Sequence, residues 1–231
     1  MKKNSVLIVG SSSKIAKNII SSLDSNSIIY GISRKKLTLK SHNNYRHLKF
    51  DLSNFSENNE HIITLKKERF NCIIFAQGLL NAKELKSYAV DDIYKVFDIN
   101  IISTIKLCKI LIPLMLINSK VIFLSSISAN NGSYDEVYAS SKSALKGLCV
   151  SLAKKYGNKT TFNIISPGTV IDSKMTKKIN ANALIKHKMD TPTGKLNNSK
   201  DIAKIILSIL DQSWNNLNGE TIEINGGRCF K

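Results

Sequence analysis

Val6-Leu7-Ile8-Val9-Gly10-Ser11-Ser12-Ser13-Lys14-Ile15-Ala16 reads as a buried strand, a sharp turn and the opening of a helix. A continuous apolar run of this length suits a strand covered on both faces, as in a parallel sheet. Gly10 lets the chain turn at the strand end, and small Ala16 lets the helix lie close to the strand. In such a turn the backbone N–H groups of Ser12, Ser13, Lys14 and Ile15, with the positive end of the helix, suit a bound phosphate. Any strand-to-helix turn shares part of this pattern. Lys14 reads equally as charge added to the turn or as a solvated side chain.

The same alternation repeats along the chain. Strands are expected at 6–9, 28–32, 46–50, 72–75, 121–124, 161–165 and 221–224, with helices at 12–23, 91–118, 137–156 and 201–210 between them. Strand, helix and strand in repetition imply an α/β fold with a doubly wound, mostly parallel sheet, Rossmann-like, and helices on both faces. No repeat, low-complexity tract or linker divides the sequence, so one domain is expected over 1–231. The 91–118 segment carries apolar residues round nearly its whole circumference, Ile99, Ile102, Ile105, Ile110 and Leu114 among them. A helix of that kind needs cover on two sides, and a second subunit would supply one of them. Pro113 should kink or end its regular part.

The formal charge of +17 raises the question of nucleic acid. The lysines are scattered instead of gathered in a stripe, and aromatic residues do not interleave with them, so no nucleic-acid partner is expected. Cys72, Cys108, Cys149 and Cys229 form no CxxC pair, and His42, His47, His61 and His187 share no metal-ligand spacing with them; no metal is expected. No apolar run is long enough for a membrane span. Met1-Lys2-Lys3 imitates the start of a leader, but the apolar run after it is too short, so a cytoplasmic protein is expected.

Two further features point to chemistry. Tyr138 and Lys142 lie four apart in an expected helix and share a face. A cation near a phenol favours the phenolate and lowers a pKa that is ordinarily ~10, as proton exchange near neutrality requires. The bland reading is an aromatic packed beside a solvated lysine. The second expected strand ends at Gly31-Ile32-Ser33-Arg34, followed by Lys35 and Lys36. In dinucleotide folds a carboxylate near this strand end binds a ribose 2′-hydroxyl, whereas an arginine accommodates a 2′-phosphate. Arg34 therefore favours NADP(H), with NAD(H) as the alternative.

Taken in order, Gly10…Ala16, Asp51-Leu52, Ala76-Gln77-Gly78, Asn100, Ser125-Ser126, Tyr138-x-x-x-Lys142, Ser166-Pro167-Gly168 and Asn218-Gly219-Glu220…Asn225-Gly226-Gly227 resemble the motif series of the short-chain dehydrogenases/reductases. The resemblance covers essentially the whole chain. It implies that Tyr138 is the catalytic acid/base and that Lys142 lowers its pKa and binds the nicotinamide ribose. Ser126 is implied to hold the substrate oxygen, with Ser125 as its rival, and Asn100 to support a water-mediated proton path from Lys142. On the cofactor side it implies Gly10, Ser12, Ser13, Lys14 and Ile15 at the phosphates, and Asp51 with Leu52 at the adenine. Ala76 and Gly78 line the cofactor, and Pro167, Gly168, Val170 and Ser173 border the nicotinamide.

The sequence departs from that family's pattern at Lys14, where a glycine is usual, and at Phe75-Ala76, where an asparagine is usual; Ala16 is a milder change. Residues 172–200 should form the substrate loop. Its Lys174, Lys177, Lys178, Lys186, His187 and Lys188 suit an anionic substrate or a solvated loop equally well. The expected function is that of an NADP(H)-dependent carbonyl reductase or alcohol dehydrogenase resembling the 3-oxoacyl-thioester reductases, acting on a small molecule as a homodimer or homotetramer. The alternatives are an oxidoreductase for a sugar or nucleotide-sugar and a non-catalytic dinucleotide-binding regulatory protein.

Overall fold

The computed structural model describes residues 4–37 and 42–229; Met1-Lys2-Lys3 lies outside the described residues. Seven strands form one sheet: β1 (Ser5–Val9), β2 (Ile28–Ser33), β3 (Tyr45–Lys49), β4 (Phe70–Phe75), β5 (Met115–Leu124), β6 (Thr160–Pro167) and β7 (Thr221–Ile224). Their order is β3-β2-β1-β4-β5-β6-β7, and every neighbouring pair is parallel. The Rossmann-like, doubly wound sheet is therefore present.

Helices cover both faces: α1 (Lys14–Ser22), α2 (Glu60–Lys66), α3 (Val90–Phe97), α4 (Ser103–Leu111), α5 (Ser128–Asn131), α6 (Glu136–Tyr156), α7 (Ala181–Met189) and α8 (Ser199–Ile209). The period-2 geometry of a strand divides each apolar run between the two faces. Leu7 and Val9 of β1, with Ile73, Phe75 and Phe123, pack under Leu107, Leu111, Leu145 and Cys149 of α4 and α6. Val6 and Ile8, with Ile74, Ile122 and Leu124, pack under Ile15, Ile19, Ile202 and Ile206 of α1 and α8. Continuous runs such as Val6–Val9 are apolar because both faces are covered. Cys72, Cys108 and Cys149 are buried within this core.

The expected 91–118 helix is broken into parts. It runs as α3, a π-helical turn at Asp98–Ile102, and α4, then closes in a 3-10 turn at Ile112–Leu114 that carries Pro113. From Met115 the chain is already strand β5. The apolar signal ran on across Pro113 because a core helix and a buried strand draw on the same residues. Met115 is thus covered by the sheet, while Tyr94, Ile102 and Ile105 keep an outward apolar face along α3, the π-helical turn and α4.

The site follows from where the strand order reverses. From β1 the chain moves outward to β2 and β3, and from β4 outward the other way to β5, β6 and β7. A crevice opens beyond the carboxyl ends of the strands at such a switch point.

Candidate active site

The turn after β1 is built as its sequence requires. Gly10 adopts φ +81°, and a Cβ there would lie 2.5 Å from the backbone nitrogen of Gln77, so only glycine fits. The N–H groups of Gly10 and Ser11 both donate to the Ile32 carbonyl, at 2.9 and 3.0 Å. Ser13 caps α1 by accepting from the Ala16 N–H at 3.1 Å, so the helix starts at Lys14 and not at 12. Lys14 reaches Asp172 at 3.4 Å, and Asp172 in turn accepts from the N–H and hydroxyl of Ser199. The turn is thereby tied to the start of the expected substrate loop.

Beside this turn lies a groove of about 270 Å³. It is bordered by Gly10, Ser12, Ser13, Lys14, Ile15, Arg34, Asp51, Leu52, Ala76, Gly78 and Ser173, all of them expected cofactor residues. Asp51 caps the short turn Leu52–Asn54 by accepting from the N–H of Ser53. A nicotinamide dinucleotide fits the residues present: the glycine turn and helix end for its phosphates, and Arg34 at the tip of β2. Gln77 borders the groove as well, and its Oε1 is buried without a hydrogen-bond partner while its Nε2 donates to Thr104 at 2.7 Å. That pairing with α4 stands where the family's usual asparagine is missing.

Adjoining the groove is a larger cavity of about 690 Å³, which shares Ile15, Ala76, Gln77, Leu124, Ser173 and Met175 with it. Ser126, Tyr138, Lys142, Pro167, Gly168 and Val170 border this cavity. Tyr138 and Lys142 lie on α6, whose N-terminus is capped by Asp135 accepting from the Tyr138 N–H at 2.8 Å. The Lys142 ammonium donates to the Leu124 carbonyl at 2.8 Å and to that of Gln77 at 3.3 Å. Its burial lowers its pKa to about 8.

The Tyr138 pKa departs from the sequence expectation. Burial raises it to about 12, partly offset by a hydrogen bond with Ser126 and reinforced by the Asp135 charge. Desolvation of the phenolate dominates, and Lys142, itself buried, donates to two backbone carbonyls. Of the two rival serines, Ser126 faces Tyr138, whereas Ser125 donates to the Lys142 backbone carbonyl at 3.2 Å.

Asn100 borders neither cavity. It sits buried in the π-helical turn, with Oδ1 accepting from the Leu79 N–H at 2.7 Å and Nδ2 donating to the Leu79 carbonyl and the Ser141 hydroxyl. Single-turn π-bulges often mark functional positions.

Several residues at the site carried no separate sequence signal. Asp135 is almost wholly buried and accepts from the Ala82 N–H and the Tyr88 hydroxyl as well as from Tyr138. Only its place before an expected helix could have marked it as a cap. Tyr45 fills the space above Gly31, where a Cβ would lie 2.2 Å from its hydroxyl, and donates to Ser11 in the turn. Met175 borders both cavities and lies 3.9 Å from the Tyr138 hydroxyl.

A family model described as Enoyl-(Acyl carrier protein) reductase matches residues 33–228. The chain belongs to the short-chain dehydrogenase/reductase family. It is accordingly an NAD(P)-dependent oxidoreductase acting on CH–OH or C=O groups of a small molecule. It is 28% identical to the 3-oxoacyl-[acyl-carrier-protein] reductase FabG of Buchnera aphidicola subsp. Baizongia pistaciae, over 97% of each chain. It is 25% identical to carbonyl reductase family member 4 of Xenopus laevis, over 74% of each. A short-chain dehydrogenase/reductase of Brucella melitensis, titled glucose/ribitol dehydrogenase, superposes with a TM-score of 0.87 at 20% identity, covering 99% of this chain and 97% of that one. Among the described residues no helix is long and apolar enough to cross a membrane, and no three His, Cys, Asp or Glu side chains converge as a metal site.

Proposed function

We propose that this member of the family is an NADP(H)-dependent ketone reductase of the 3-oxoacyl-thioester type, working in the cytoplasm. The observation that carries the reading is that the groove ending at Arg34 adjoins, across shared lining residues, the cavity that Ser126, Tyr138 and Lys142 border. In this reading Ser12, Ser13, Lys14 and Ile15 bind the pyrophosphate beside Gly10, Arg34 binds the 2′-phosphate, and Asp51 and Leu52 take the adenine. Ala76, Gly78, Pro167, Gly168, Val170 and Ser173 flank the nicotinamide. When bound, the cofactor supplies the hydride that reduces the carbonyl carbon.

The chain supplies the rest. Ser126 donates to the substrate oxygen where negative charge develops. Tyr138 gives that oxygen its proton, so hydride and proton together make the alcohol. Burial keeps the phenol protonated at neutral pH, the form that gives up a proton, although a pKa so far above neutrality makes it a weaker acid. Lys142 holds the cofactor ribose, and Asn100 positions the loop after β4. The outward apolar face of Tyr94, Ile102 and Ile105 supports association of copies of the chain, as a dimer or tetramer.

Loss of NADPH absorbance with an acetoacetyl thioester tests the reading. Wild type should turn over, and Tyr138→Phe should bind NADPH unchanged while losing turnover by at least ~100-fold, the range of a general acid. Reduction of a 2-enoyl thioester in place of the 3-oxo compound would overturn the ketone assignment. Equal turnover by Tyr138→Phe would overturn the role of the tyrosine.

A further inference from the structure

The larger cavity carries charge beyond the residues used so far. Arg228, on the segment after β7, and His187, in the last turn of α7, both border it. Their side chains meet at Thr169, directly after Gly168: His187 Nδ1 pairs with the Thr169 hydroxyl at 2.9 Å, and Arg228 donates to the same oxygen at 3.4 Å. The Arg228 side chain is only 20% exposed. Asp190 stands 4.0 Å away and is itself nearly half exposed, a weak pairing. These long contacts engage only part of a guanidinium with five N–H donors.

The placement of Arg228 is fixed by its neighbours. Gly226 takes φ +65°, and a Cβ there would lie 2.4 Å from the Thr193 hydroxyl. Its carbonyl accepts from the Thr193 N–H at 3.1 Å, and the Arg228 N–H donates to Asn225. The segment is therefore pinned against the loop that follows α7. Burial and the Arg228 charge hold the His187 pKa below its usual value. Lys178 and Lys142 also border the cavity, and among the described residues the one bordering carboxylate, Asp135, is already taken up by three donors. The cavity wall is thus cationic at a point reached from the reacting end through Thr169.

We infer that Arg228, with His187 and Thr169, forms an oxyanion-recognition site that selects substrates carrying a carboxylate or phosphate apart from the carbonyl. The inference rests on the ketone-reductase reading and adds the charge of the substrate to it. A partly desolvated guanidinium binds such a group bidentately, and a hydrogen bond to a charged group of this kind changes affinity by roughly tenfold or more.

Two matched pairs of probes test it and separate the two sources of the oxyanion. One is a homologous set of oxo acids, 4-oxopentanoate to 6-oxoheptanoate, against their methyl esters. The other is S-acetoacetyl-pantetheine with and without its 4′-phosphate. Wild type should prefer the anionic member of at least one pair by about tenfold or more in kcat/KM, and Arg228→Gln should bring that ratio close to one. Arg228→Lys should keep part of it. The pair that responds names the source. Ratios near one for both pairs in wild type, or a preference that survives Arg228→Gln, would overturn the site, and the wild-type ratio decides alone if the variant does not fold. Saturation-transfer NMR of the same pairs reads the ratio without turnover. Arg228-dependent binding with no turnover would uphold the oxyanion site and count against the reductase reading instead.

Discussion

Asn100 and Leu79 exchange two hydrogen bonds, the Leu79 N–H to Oδ1 at 2.7 Å and Nδ2 to the Leu79 carbonyl at 3.0 Å. One side chain in a π-helical turn thus takes the place of a strand partner for the loop that leaves β4. The same amide donates to Ser141, one residue before Lys142, so it fastens that loop to the helix carrying Tyr138. Three elements that border the site converge on a single buried amide.

Asn100→Ala should therefore cost stability before it costs chemistry. It leaves a half-buried N–H and carbonyl of Leu79 without their partner, a loss of about 1–3 kcal/mol. Chemical denaturation should show a lower midpoint with an unchanged slope. Asn100→Asp keeps an acceptor for the Leu79 N–H but loses both donor bonds and buries a carboxylate against the Leu79 carbonyl, so it should fall no closer to wild type than Asn100→Ala does. A variant with full stability would show that the loop is held elsewhere.

Ser125 and Ser126 should separate cleanly, although they are neighbours. Both border the cavity, but Ser125 is buried and donates to the Lys142 carbonyl, while Ser126 hydrogen-bonds with Tyr138. Ser126→Ala should leave the melting temperature within ~2 °C of wild type and reduce kcat by ~10²-fold or more, the cost of one oxyanion donor. Ser125→Ala should lower the melting temperature and change kcat much less. The reverse pattern would transfer the substrate-holding role to Ser125.

The sheet was legible because each strand is a short apolar run bounded by polar turn residues, and burial on both faces permits little else. Tyr138 and Lys142 were legible because helical spacing puts them on one face. Other parts depend on contacts between residues far apart in the chain. Nothing near Gly31 announces that Tyr45 will fill its missing side chain, and nothing near Arg228 announces Thr169. The π-helical turn at Asn100 leaves no trace in an apolar pattern that fits an ordinary helix equally well. The direction of the Tyr138 pKa depends on tertiary contacts in the same way: sequence shows the nearby cation but not the depth of burial, which raises it here.

Arg34 stands at the end of β2 on the rim of the cofactor groove, exposed enough to meet a charged ligand. If it receives the 2′-phosphate, Arg34→Ala should weaken NADPH binding by roughly tenfold or more, the worth of a charge-assisted pair, and leave NADH binding nearly unchanged. Fluorescence titration of both cofactors against both proteins measures this. Equal losses for the two would show that Arg34 does not read the 2′-phosphate.

Lys142 gives the protein a distinctive stability profile in alkali. Its folded-state pKa is about 8 against 10.5 when unperturbed, and burial is the cause. Below pH 8 both folded and unfolded chains hold the proton, so the full penalty of a buried charge opposes folding. Between about 8 and 10.5 the folded chain gives up the proton while the unfolded chain keeps it, and stability rises with pH. The gap corresponds to about 3 kcal/mol relieved across that window. Tyr138 works in the opposite sense at higher pH: its pKa of about 12 against 10.0 means that stability falls from pH 10 upward. Lys142→Met removes the first effect and keeps the second. Urea midpoints for both proteins at steps from pH 7 to pH 10 should show wild type gaining on the variant through the whole range, with most of the gain above pH 8. The hydrogen bonds to Leu124 and Gln77 that the variant lacks shift its curve as a whole but do not produce the slope above pH 8. A difference that stays flat from pH 7 to pH 10 would mean that Lys142 is not buried as a charged group, and the argument for its place beside the cofactor would lose its electrostatic basis.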